Sequence, residues 1–175
     1  MGSEMCIRDS DALVQLERHL GSRLHVVTQN IDDLHQRAGS IQLTAMHGEL
    51  KKIRHVETGE VVEWAHDVKE SETTWRPHVV WFGERTIGLN LIAEKLTTAD
   101  IFVAIGTSGT VYPASRFAEI AKAAGATTVE INLTKTRAAG FDHAWAGPAS
   151  QLVPELVRQI IATGTVSAIA EAGAR

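Results

Sequence analysis

The stretch from Asp100 to Leu133 constrains the fold more than any other. Residues 100–105, Asp-Ile-Phe-Val-Ala-Ile, form a continuous apolar run of strand length. Gly106-Thr-Ser-Gly109 interrupts it. A helical stripe of Phe117, Ile120, Ala121 and Ala124 follows. Pro113 stands where a first turn tolerates a missing N–H, and Gly125 where a helix ends in the left-handed region. Residues 127–133 are a second apolar run. Strand, glycine turn, helix and strand in this order make a βαβ unit with a right-handed crossover and two parallel strands. Parallel sheets are covered on both faces, so the expected class is α/β with a Rossmann-like parallel sheet.

The flanking segments extend this unit. Leu13, Leu16 and Leu20 repeat at helical spacing, with Ser10 or Asp11 as a cap and Gly21 as a stop. Residues 24–27 read as a short buried strand running into Thr28-Gln-Asn-Ile-Asp-Asp-Leu-His35. Residues 84–96 contain a helix with Leu89, Ile92, Ala93 and Leu96 on one face, and a last helix after Ser150 carries Leu152, Val153, Leu156, Val157, Ile160 and Ile161. Residues 49–64 differ in character. Thr58-Gly59 is a turn signal between runs holding Ile53, Val56, Val61, Val62 and Trp64, which predicts a hairpin. Residues 65–76 are irregular, and 77–82 are extended, with Pro77 at a strand start or on an edge. The division expected is a parallel-sheet domain from 11–48 and 80–162, a small inserted domain at 49–79 and a fraying tail at 163–175. Residues 1–10 contain Met5-Cys-Ile-Arg-Asp-Ser10, which reads as a foreign leader.

Composition excludes several classes. The chain has 175 residues, about one domain, at 44% hydrophobic and 22% charged, which is not a disordered composition. Seventeen Lys and Arg against 21 Asp and Glu leave a net charge of −4, with no electrostatic footprint for nucleic acid and no basic patch for a membrane surface. No apolar run approaches the roughly 18 residues of a spanning helix, and the N-terminus has no apolar h-region. Cys6 is the single cysteine, which excludes an internal disulfide and a cysteine zinc cage. A cytoplasmic location is the expectation.

Four constellations carry candidate chemistry. Gly106, Thr107 and Ser108 follow a buried strand, where glycine admits a ligand to the backbone and the amides of a following helix attract a pyrophosphate. The same pattern is often only a turn, and no Gly-Lys-Ser/Thr follows to make it a Walker loop. Gln29, Asn30, Asp32 and His35 crowd donors and acceptors around Ile31 in one loop, as recognition of a carboxamide or ribose requires. The competing reading is a helix cap at Asn30 or Asp32. His47, before Gly48, is a candidate general base, because a histidine titrates near neutrality, although the chain has 8 histidines and most such residues are structural. His55, His66 and His78 match no zinc spacing. Trp81-Phe82-Gly83-Glu84 suits a strand that pairs with a peptide beside an aromatic tunnel, or simply the end of a core strand.

The order of these motifs resembles the sirtuin family, in its bacterial CobB-like deacylase branch. The resemblance rests on Thr28-Gln-Asn-Ile-Asp-Asp-Leu-His-Gln-Arg-Ala-Gly39, His47-Gly48, Val80-Trp-Phe-Gly-Glu84, Gly106-Thr-Ser108 and Asn132-Leu133, and spans roughly residues 11–162. It implies an NAD-dependent protein-lysine deacylase, in which the acyl oxygen attacks the nicotinamide ribose, nicotinamide leaves and the acyl group ends on ADP-ribose. His47 would be the general base on a ribose hydroxyl. Gln29 would face the ribose, with Asn30, Ile31 and Asp32 towards the nicotinamide. Gly106, Thr107 and Ser108 would line the ADP-ribose site, Asn132, Leu133 and Thr134 its adenosine end, and Ala149 the adenine. Val80, Phe82 and Gly83 would hold acylated lysine of a protein substrate by strand addition.

Two departures from the family pattern shape the expectations. The opening strand and Gly-Ala-Gly-Ile-Ser loop of sirtuins do not precede Thr28, so the chain resembles an N-terminally truncated member lacking its first strand. Weak or absent activity, an unpaired sheet edge and poor solubility follow as expectations. The four zinc cysteines of the family are absent between His47 and Val80, so no zinc is expected, and a hairpin packed through Val62, Trp64 and Trp75 takes the metal's place. Two other readings stay open. One is a non-catalytic module binding ADP-ribose or acyl-peptide, and the other a different nucleotide-binding α/β enzyme using His47 as base.

Overall fold

A computed structural model describes residues 2–69, 71–134 and 140–167. The chain runs through α1 (Gly2–Leu20), β1 (Val26–Thr28), α2 (Leu34–Ala38), β2 (Leu43–Ala45), β3 (Gly48–His55), β4 (Val61–Glu63) and β5 (Trp75–Val79). It continues through α3 (Leu89–Thr98), β6 (Ile101–Ile105), α4 (Phe117–Ala123), β7 (Thr127–Asn132), β8 (His143–Ala146) and α5 (Ala149–Thr163). No helix among the described residues is long and apolar enough to cross a membrane.

The βαβ unit forms as its sequence implies. β6 and β7 are parallel neighbours, in register from Ile101 opposite Thr127 to Ile105 opposite Ile131, and β8 adds in parallel to the far side of β7. Side chains alternate between the two faces. Val129 and Ile131, with Ile101, Val103 and Ile105, face a cluster formed by Ala12 and Leu16 of α1 and Val153, Leu156, Val157 and Ile160 of α5. Phe102 turns the other way, into a second cluster of Met46, Ile92, Leu96, Phe117 and Ala121. Helices therefore cover both faces of a doubly wound α/β sheet. β1 and β2 form their own parallel pair, Val26 opposite Leu43 to Thr28 opposite Ala45, and Val27 joins the second cluster.

The structure corrects several element boundaries. α1 passes through Ser10 and Asp11 without a break, so neither is its cap, and residues 2–10 belong to the same helix. The first strand starts at Val26 rather than residue 24, because Leu24 is still finishing the one-turn helix after Gly21. The helix expected within residues 84–96 is α3, which begins at Leu89 behind Gly88 and runs two residues past Leu96. Ala124 and Ile161 are exposed and do not extend their apolar stripes. The tail at 163–175 is described only to Ser167, and residues 168–175 lie outside the described residues.

β3 pairs antiparallel with β4 across the Thr58-Gly59 turn and with β5 on its other side, so β5, with Pro77, is an edge strand. The packing differs from the expectation. Trp64 is 41% exposed, against the His66 ring, while Trp75 meets His55 edge-on and Ile53 is the buried side chain.

Burial also sets a pH dependence. Desolvation lowers the pKa of the His25, His35 and His78 imidazoles, with Lys95 reinforcing the shift at His25 and Asp32 opposing it at His35. These groups bind protons more readily unfolded, so stability is lost as pH falls below about 6.5. The expected result is a lower melting temperature at pH 5.5 than at pH 7.5, with the difference reduced in a His25→Gln, His35→Gln double variant. Equal melting temperatures in the parent chain would contradict the assignment.

Candidate active site

The carboxyl ends of β1, β6 and β7 converge, at the end of an α/β sheet where ligands bind. Gln29, the first residue beyond β1, bridges the strands. Its side-chain Nε2 donates to Thr107 Oγ1 at 3.3 Å, and its main-chain oxygen accepts from His47 Nδ1 at 2.9 Å. Asn132, at the end of β7, donates through Nδ2 to the Thr107 carbonyl at 2.8 Å. One hydrogen-bonded chain thus links His47, Gln29, Thr107 and Asn132. Gly106 adopts φ +62, and a Cβ there would meet nothing within 4 Å, so the backbone beside Thr107 lies open.

His47 sits on a backbone held from three directions. Met46, fully buried, anchors the preceding residue in the cluster below, and its N–H donates to Thr28 O at 3.0 Å. The His47 carbonyl accepts from Val80 N at 2.9 Å. Gly48 follows at φ +89 against β5, where a Cβ would stand 2.0 Å from the His78 oxygen. The partner of the imidazole determines its tautomer. A carbonyl only accepts, so in the neutral ring Nδ1 carries the proton and Nε2 presents its lone pair.

The other residues singled out from sequence are placed less uniformly. Asn30 is exposed, its N–H on Thr28 Oγ1, and Ile31 accepts from Leu50 N through its carbonyl. Asp32 Oδ1 accepts from Leu34 N at 3.1 Å, a local turn bond, while the cap position of α2 is Asp33, so neither Asn30 nor Asp32 is the helix cap of the competing reading. His35 lies in α2 with Nδ1 3.4 Å from Ser10 Oγ, away from the His47 network. Ser108 is exposed and bonds Thr110 Oγ1. Leu133 is exposed, its N–H on Asn132 Oδ1, and Thr134 is exposed beside it. Ala149 opens α5 and packs against the α1–α5 core.

Two expectations fail on geometry. No helix start abuts Gly106, because residues 107–113 intervene before a one-turn helix at Ala114–Arg116, and α4 begins only at Phe117. Phe82 and Gly83 are not extended either. Glu84 N donates to Trp81 O at 3.0 Å, closing a β-turn with Gly83 at φ +88 in its third position, so β5 ends at Val79. Trp81 and Phe82 stand out from this turn, Phe82 fully exposed. Sequence reasoning missed Arg76, whose guanidinium grips Glu84 Oε1 at 2.6 Å and Oε2 at 2.9 Å. No motif spacing marks a pair joined across a turn. Among the described residues, no group of three or more His, Cys, Asp or Glu is placed to hold a metal.

The Sir2 family profile matches residues 5–113 of this chain. The chain belongs to the Sir2 family. That match opens inside residues 1–10, the segment that reads as a leader. Among curated Sir2 relatives, the chain is 48% identical over 159 residues to an NAD-dependent protein deacylase of Salmonella typhimurium, covering 86% of this chain and 58% of that protein. Among solved Sir2 structures, it superposes on a Sir2 homologue–NAD complex with a TM-score of 0.79 at 32% identity, covering 90% of this chain and 66% of the other. It superposes on Sir2Af2 bound to a myristoylated histone peptide with a TM-score of 0.75 at 32% identity, covering 90% and 73%.

Proposed function

We propose that this chain carries the base, the ribose-facing loop and the peptide rim of an NAD-dependent protein-lysine deacylase acting in the cytoplasm. The observation that carries the proposal is the bond from His47 to Gln29, continued to Thr107 and Asn132, at the strand ends. It joins four motifs that are far apart in sequence into one site. Residues 49–79 act as an inserted module whose strand β5 leads into the rim.

NAD suits this donor set. Gln29 and Asn132 offer carboxamides, Thr107 and Ser108 offer hydroxyls, and the open backbone at Gly106 admits a bulky ligand. When bound, NAD supplies an electrophilic ribose carbon and nicotinamide as leaving group. The chain's own contribution is positional and acid–base. Gln29 holds the imidazole by its main chain and Thr107 by its side chain, so base and loop move as one body. His47 Nε2 accepts a proton from a ribose hydroxyl, and the bond from Nδ1 to the Gln29 carbonyl stabilises the imidazolium that results. Trp81 and Phe82 offer apolar faces to the lysine stem and its acyl group. Acylated lysines in protein substrates are the partners of this site.

The deciding experiment incubates the chain with NAD and acetyl- or succinyl-lysine peptide and reads products by mass spectrometry. Nicotinamide and acyl-ADP-ribose appearing together, only when acylated peptide is present, is the expected result. Binding of ADP-ribose or peptide with no nicotinamide released would favour a non-catalytic module. Nicotinamide release indifferent to peptide would favour another nucleotide enzyme.

A further inference from the structure

Trp81 and Phe82, in the turn that follows β5, are both exposed, Phe82 fully, so apolar packing of these rings does little to hold that turn. It is held by polar bonds instead. Its ends are tied to two consecutive residues of the His47 segment, Val80 N to His47 O and Ile87 N to Met46 O, each at 2.9 Å. Its middle is tied to the β3–β5 sheet through Glu84. Both oxygens of that carboxylate accept from Arg76, at 2.6 and 2.9 Å, and Oε2 also accepts from Trp81 N at 3.1 Å. Arg76 Nη2 donates besides to Val79 O, at 2.9 Å, fixing the last residue of β5.

The sheet itself calls for this carboxylate. Arg54 on β3 and Arg76 on β5 are cross-strand partners, and two cations directly opposite each other repel. Glu84 lies between them, with Arg54 Nη2 3.6 Å from Oε2. The fork geometry with Arg76 adds direction to the attraction. The Arg76 bond pulls the Glu84 carboxyl down to about 2, so the bridge stays charged across the working pH range.

We propose that Glu84 is a positioning residue: by bridging Arg76 and Arg54 it locks the Trp81–Phe82 rim in a fixed relation to His47, and so sets how tightly an acylated lysine segment is held. This rests on the deacylase reading of the site. Exposed ion pairs add little to global stability, so the effect is local to the turn.

The test compares the full chain with Glu84→Gln and, independently, Arg76→Lys, which keeps the charge and loses the fork. Amide hydrogen exchange over residues 80–87 reads the turn, and fluorescence anisotropy with a labelled acetyl-lysine peptide reads the rim. Both variants should exchange about tenfold faster there, bind the peptide about tenfold more weakly, which is one factor of ten in the equilibrium constant, and melt close to the parent. Unchanged exchange in the variants, or faster exchange with unchanged affinity, overturns the positioning role. A parent chain that binds no acetyl-lysine peptide overturns the site reading instead, and the exchange data tell that failure apart from failure of the bridge.

Discussion

His47→Ala is expected to lower nicotinamide release from NAD and acyl-lysine peptide by about 10²–10⁴-fold, the usual worth of a positioned general base. Peptide affinity should stay within roughly a factor of two, because the rim contacts the His47 backbone and not its ring. The bond that fixes the rim runs from Val80 N to the His47 carbonyl, which alanine keeps. The imidazole makes one hydrogen bond through Nδ1, to the carbonyl of Gln29. Losing it frees a partly accessible acceptor that water satisfies, so the fold should lose no more than about 1 kcal/mol. Mass-spectrometric turnover beside a peptide titration makes the comparison. Turnover equal to the parent would remove His47 from the chemistry, and a parallel collapse of peptide affinity would mean that the ring supports the rim.

One residue further on, Gly48→Ala should do the reverse and damage the fold. The residue sits at φ +89, in the region that side chains avoid, and an added Cβ would stand 2.0 Å from the His78 oxygen and 3.0 Å from Val79 Cα. The obstacles are backbone, so no rotamer change relieves them. β5 must shift away from the start of β3, where Gly48 pairs with Val79. Strain of this kind costs about 2–4 kcal/mol, or roughly 8 °C in melting temperature for a chain of this length. The shift also drags Val80, and with it the rim, away from His47. Thermal unfolding by circular dichroism reads the first effect and peptide titration the second. A variant that melts with the parent would show that the β3–β5 contact has slack.

The βαβ unit was legible because one strong periodic signal, an apolar run, changed to helical spacing and back within a single stretch. The hairpin at Thr58-Gly59 was legible because turn chemistry is local. Two of the short strands, β2 and β8, were not. β2 has no alternation to detect, and β8 buries only Trp145 among alanines and a histidine. The late start of α4 was hidden because Pro113 suits a helix start and a loop equally well. At the site, the nomination of Gln29 and His47 came from motif order, yet the bond between them depends on the parallel pairing of β1 with β2, which sets Thr28 opposite Ala45 just before each residue. The Arg76–Glu84 bridge was invisible for a related reason: its energy comes from a cross-strand charge conflict that exists only once Arg54 and Arg76 have been brought into register.

Five parallel strands in one ladder would leave two outer strands unpaired. Divided two and three, as β1–β2 and β6–β7–β8, they leave four. β1 and β6 thus each keep a row of amide and carbonyl groups with no ladder partner among the described residues, while shared side-chain packing holds the halves together. Such rows attract any extended chain that meets them. Either row offers backbone partners to an added extended strand, which makes these two edges the places where another chain would pair.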